Sequence, residues 1–228
     1  MDSKREAMRV PFLRDLLLSD SIHIASNITF ENLSPLSTYL GKPGNPAKGG
    51  ISFAEYKTRQ GQHCEAEIQA LKDVPSFIGK ARDIYQYTNF VCDSGGSLCE
   101  VVDPSNPQDP VLKCLGDNSL LLYIEGTPEH TRMLVERFRR HPKPMYYNPA
   151  FLDAKWHEYK AQHRIVDDND VDPDGFAVWG FEQLLHHRIP LYKAIAQNFG
   201  YTVRMRDIPN VQTEAQFIDL VSSAIDQR

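Results

Sequence analysis

The chain has 228 residues, of which 41% are hydrophobic and 24% charged, and carries a net charge of −5 with a pI near 5.9. That composition excludes a disordered chain and a surface given over wholly to nucleic acid, while leaving room for a local basic patch that holds phosphates. No apolar run approaches the roughly 20 residues of a membrane-spanning helix, and Met1–Glu6 lacks the basic-then-apolar form of a signal peptide. Cys64, Cys92, Cys99 and Cys114 show no CxxC spacing, so reduced thiols in a cytoplasmic protein are expected.

Residues 5–18 carry apolar positions at helical spacing, and Pro11 sets a helix start near itself. Residues 21–30, with His23 among them, alternate as a strand does. Residues 41–50 form a Gly- and Pro-rich loop ending Lys48-Gly49-Gly50, which could cradle a phosphate through its amides but is not a Walker A loop. From Ser52 to Arg82 the pattern is one long helix or two, opened by Ser52 and Glu55 as a capping box. On it His63 and Glu67 have the i, i+4 spacing that could share a metal.

The stretch Asn89–Asp103 begins as a short apolar strand, Phe90 to Cys92, and breaks at once into Asp93, Ser94, Gly95 and Gly96. An aspartate at the end of a buried strand can face a ligand or a metal. Two glycines beside it let backbone approach a substrate that a Cβ would exclude. A proline-rich loop, 103–110, follows, and then Ser119–Ile124 is the clearest buried strand. It turns through Glu125-Gly126-Thr127 into a helix with Thr127 as N-cap and Pro128 at its first position. That helix ends in Arg137, Arg139 and Arg140, with Lys143 just beyond. Cations suit a helix C-terminus, but so many together repel unless an anion lies between them, which points to a phosphate-facing cluster.

Residues 150–163 read as a helix and 166–175 as an acidic loop without calcium-loop spacing. A helix over Phe176–Leu185 follows. Another starts at Arg188-Ile-Pro-Leu-Tyr192, with Pro190 in its first turn and Gly200 as its stop, before a short strand at Tyr201–Val203 and a capped helix from Thr213 to Ile225.

The order of these parts resembles the later two-thirds of a P-loop small-molecule kinase, most nearly the shikimate kinase-like group. The resemblance rests on Asp93, Gly95 and Gly96 after a strand, on Arg137–Tyr147 as an arginine-bearing lid segment, and on Arg188-Ile-Pro-Leu-Tyr192. It implies a single α/β domain over 1–228, a three-layer parallel sheet flanked by helices with a lid around 137–175. Nothing in residues 1–50 has the glycine-lysine-Ser/Thr core of the phosphate loop, so that N-terminal unit is missing or degenerate.

Carried onto this chain, the resemblance implies Mg²⁺ and ATP as cofactors. Asp93 would hold Mg²⁺ through water or activate the attacking group, with Arg137 and Arg140 as catalytic partners. Arg59, Gly95, Gly96 and Ser97 would contact the substrate, and Arg139, Lys143 and Arg188 the nucleotide. Two functions stand side by side: a nucleotide-binding kinase or ATPase acting on a small molecule, or a non-catalytic binding or regulatory protein that keeps the cleft and uses a protein partner. Neither requires nucleic acid or a membrane.

Overall fold

The computed structural model describes residues 38–227; the helix expected near Pro11 and the strand expected over 21–30 lie outside them. The described residues fall into two compact units, one of 38–39 with Ser76–Val91, the other of Leu40–Pro75 with 92–227.

In the first unit, the helix that began at Val74 runs to Tyr85, where Gln86 takes a left-handed conformation (φ 57°). Tyr87 N–H then closes onto the Ala81 carbonyl at 3.2 Å, and Tyr85 stacks on Tyr87 with centroids 5.5 Å apart. Beyond that turn the expected strand at Phe90–Cys92 does not form, and Val91 is 87% exposed. Three apolar residues without a partner strand leave their N–H and C=O groups to water, so the apolar signal alone does not make a strand.

The second unit is built from α1 (Phe53–Lys72), the start of α2 (Val74–Tyr85), α3 (Leu98–Val101), α4 (Pro110–Asn118), β1 (Leu121–Glu125), α5 (Pro128–Arg140), α6 (Pro149–His163), α7 (Pro173–Phe199), β2 (Gly200–Arg204) and α8 (Glu214–Asp226). The expected three-layer kinase-like sheet is therefore corrected. The described residues are mostly helical, and their one sheet is the parallel pair β1–β2, in register from Leu121 opposite Gly200 to Glu125 opposite Arg204. Strand order in the sequence resembled an α/β protein because a parallel pair needs a long crossover. Here α5, α6 and α7 supply it, and no further described segment extends the sheet.

Helix starts follow local chemistry. The Ser52 hydroxyl accepts from Glu55 N–H at 3.1 Å, but Glu55 turns to Arg59 (2.9 Å) rather than back to the cap. Thr127 makes a complete reciprocal cap with His130, and Asn148, Asp172 and Thr213 cap α6, α7 and α8. Two expected helices over 176–196 are one helix of 27 residues running through Pro190. An interior proline costs about 3 kcal/mol. Burial of Leu184 and Arg188 on one side of it and Ile195 and Ala196 on the other holds the rod together.

The core lies among α1, α6 and α7. Phe53 stacks on Trp156 at 4.4 Å, Phe176 meets Trp156 and Tyr159 edge-on, and Tyr56, Tyr147, Leu152 and Val171 close the interior. Lys48-Gly49-Gly50 joins this unit as a tight turn. The N–H groups of all three bond within it, to Asn45 and Pro46 carbonyls, and the Lys48 ammonium holds Asp172 at 2.7 Å.

Candidate functional site

A polar frame runs through the interior of the second unit. Gln60, 2% exposed, donates to the Met145 carbonyl (3.0 Å) and accepts from Tyr147 N–H (2.9 Å), while the Tyr56 hydroxyl donates to the same Met145 carbonyl at 2.7 Å. Two turns on, Glu67 accepts from the Ser97 hydroxyl at 2.6 Å. One face of α1 thus fixes both the segment after the arginine helix and the turn after Gly96.

At the centre Arg188 Nε donates to Glu100 Oε1 at 2.8 Å, with the two side chains 8% and 0% exposed. A second guanidinium nitrogen donates to the Tyr146 carbonyl (3.1 Å), and Glu100 Oε2 accepts from Asn148 N–H (2.8 Å). A buried ion pair is tolerable only when its remaining donors and acceptors are satisfied in this way. Gly96 lies directly over the pair: a Cβ there would meet an Arg188 nitrogen at 2.3 Å and the Tyr192 hydroxyl at 2.9 Å. The expected residues Gly96, Ser97 and Arg188 are thereby brought together, with the guanidinium of Arg188 already engaged by protein groups.

Two cavities flank β1. The larger, about 570 Å³, sits where parallel strands end, between Glu125-Gly126-Thr127, the first turns of α5, the middle of α7 and Met205 just past β2. Crevices at the carboxyl ends of parallel strands are where open sheets take ligands, and a helix N-terminus there favours an anion. Its apolar wall includes Ile124, Leu134, Leu185 and Ile189; its cations are Arg132, Arg139 and Lys193, set among Glu125, Glu136 and Glu182, with His130 and His186. Lys193 pairs with Glu125 at 3.0 Å, and that hydrogen bond raises the lysine pKa.

The smaller cavity, about 380 Å³, is lined by Asp93, Ser94, Gly95 and Gly96 against Leu121–Ile124 and the end of α7. Asp93 is exposed and accepts from Gly95 N–H at 3.0 Å, and Gly95 sits at φ 63°. Tyr123 and Tyr192 line both cavities and stack on each other, centroids 5.3 Å apart and 11° from parallel. They form the partition. Burial pushes the Tyr192 hydroxyl up to about 12, and burial likewise takes the adjacent Cys99 thiol to about 12, so both stay protonated at neutral pH.

The other expected residues are spread more widely. Arg59 lies on α1, paired to Glu55, and lines neither cavity. Phe138 stacks on Phe181 at 4.0 Å, which fixes the last turn of α5 against α7 and leaves Arg137, Arg139 and Arg140 exposed. Arg139 reaches the larger cavity. Arg139 and Arg140 also line an open groove with Tyr159, His163 and Trp179. Lys143 is half-buried in the segment that Gln60 anchors. His63, whose i, i+4 spacing to Glu67 could have shared a metal, stacks on Tyr146 at 4.5 Å. Among the described residues no group of three His, Cys, Asp or Glu side chains could hold a metal ion.

Sequence reasoning gave no role to Gln60 or Glu100, and quoted Tyr192 only within the Arg188-Ile-Pro-Leu-Tyr192 motif. Glu100 carried a signal: an acid in an otherwise apolar turn, Leu98-Cys-Glu-Val101, needs a cation to be buried. Comparison with known protein families, with curated proteins and with solved structures finds no match. Among the described residues no helix is long and apolar enough to cross a membrane.

Proposed function

We propose that the protein binds a nucleotide, or a phosphorylated metabolite of similar size, in the larger cavity at the end of β1. One observation carries this: the strand ends in Gly126-Thr127 and opens α5 directly into a cavity of about 570 Å³, so the positive end of the helix dipole borders a space the size of a small ligand. Arg132, Arg139 and Lys193 support a phosphate there, and the aliphatic and tyrosine wall supports an apolar or planar partner group. Non-catalytic binding is the form this geometry favours, since Arg188, expected to face the nucleotide, is engaged by Glu100 and the Tyr146 carbonyl.

The kinase or ATPase alternative draws its support from the smaller cavity, which Asp93, Gly95 and Gly96 share with the tyrosine partition. In that version the acceptor sits beside Asp93, and Mg²⁺ is carried in with the nucleotide. Isothermal titration with Mg-ATP and with ADP tests the proposal. Saturable binding that weakens at least fivefold in Lys193→Ala or Arg139→Ala is expected, and absence of heat in a folded sample overturns it. Release of phosphate during the titration, lost in Asp93→Asn, selects the catalytic version.

A further inference from the structure

The groove beyond α5 adds a second subsite. It has about the same volume as the larger cavity, about 570 Å³, and the two share Arg139 and Glu182, so they adjoin at one arginine and one carboxylate. Its far wall is aromatic. The Trp179 and Tyr159 ring centroids lie 5.3 Å apart, and His163 is tilted against Tyr159 with centroids 4.1 Å apart. His163 Nδ1 lies 2.9 Å from the Tyr159 carbonyl; a carbonyl only accepts, so Nδ1 carries the proton and Nε2 is left as the ring's other polar atom. Arg139 and Arg140, both exposed, make no ion pair among the described residues. Of the groove's two acids, Asp174 is paired to Lys42, while Glu182 stands at the junction.

Resting on the nucleotide reading of the larger cavity, we infer that the ligand class is a dinucleotide, two nucleosides joined through a pyrophosphate. One base lies against the aliphatic wall of the cavity. The bridging phosphates cross Arg139 and Arg140, whose planar forks suit phosphate oxygens. A carboxylate accepts from ribose hydroxyls, which is the role Glu182 fills at the junction. The second base stacks on the aromatic wall at Trp179, a contact any base can make because each presents a π-face. Both signs of charge at the junction fit this ligand better than a bare polyphosphate, which Glu182 repels.

The chain contains two tryptophans, and Trp156 is 2% exposed, so fluorescence reads Trp179 against a buried control. The full chain is titrated with ADP and with diadenosine diphosphate. The expected result is at least tenfold tighter binding of the dinucleotide, with quenching in the wild type that is lost in Trp179→Phe. Trp179→Ala and the exposed Arg140→Ala each lower the dinucleotide affinity about tenfold, closing the gap to ADP. Equal affinities for the two ligands, or equal losses for both in Arg140→Ala, overturn the dinucleotide assignment and leave the cavity reading standing. Failure of both ligands to bind removes both.

Discussion

Arg188 and the pair Arg139–Arg140 make opposite uses of one residue type. Arg188 is interior and satisfied, with Glu100 and the Tyr146 carbonyl taking its guanidinium. The pair at the end of α5 stands in solvent beside a cavity and a groove. A sequence shows three arginines near prolines; only packing shows which of them is scaffold and which is available to a ligand. Burial decides, because a desolvated arginine must have its partners built in, whereas an exposed one keeps its hydration until something better arrives.

The contrast is broken most severely at Glu100–Arg188. Arg188→Ala leaves a buried carboxylate alone and is expected to cost about 3–5 kcal/mol, read as a fall in the urea midpoint with unchanged slope. Gln60→Ala leaves the Tyr147 N–H without its acceptor and should cost about 2 kcal/mol by the same measurement. At Gly96 an added Cβ presses on Arg188 and Tyr192, both held from behind. Gly96→Ala is expected to lose about 1–2 kcal/mol and to loosen the Tyr123–Tyr192 stack, visible as a changed tyrosine near-ultraviolet signal.

A smaller effect separates charge in the frame from charge on its rim by pH. The hydrogen bond from Lys48, followed by that from Gly175 N–H, lowers the Asp172 pKa, so its folded-state value lies below the unfolded one. Its contribution is then fully present above the ordinary carboxylate range and disappears as pH falls through the depressed value. Asp172→Ala should cost about 1 kcal/mol near neutral pH as a lost helix cap, with the difference from wild type vanishing in thermal melts taken toward pH 2. Arg140→Ala should change stability by less than about 0.5 kcal/mol. If it instead destabilises as Arg188→Ala does, the division between scaffold and ligand-facing arginines fails.

Much of the local structure was legible. Thr127-Pro128, Ser52 and Thr213 announce helix starts through side chains that bond the first free N–H groups, and the apolar run over Ser119–Ile124 marks a strand, although β1 is only half-buried with Ile124 exposed. The sheet was not legible beyond that pair, since strand count depends on partners that a local window does not contain. Pro190 misled in the same way: proline normally marks a first turn, and only burial of residues several turns away on both sides keeps this helix continuous. The turn at Asp93–Gly96 lines the smaller cavity without the strand expected before it, and although Glu100 signalled the need for a cation, nothing local named Arg188 as that cation. That contact joins residues 88 positions apart.

Pro190 has a further consequence for the chamber beside it. Lacking an N–H, it cannot donate to the carbonyl four residues earlier, and that residue is His186, which lines the larger cavity. The helical ladder therefore skips a rung there and leaves a main-chain oxygen without its usual donor. At that point continuity of the rod rests on the burial of Leu184, Arg188, Ile195 and Ala196 rather than on the backbone ladder.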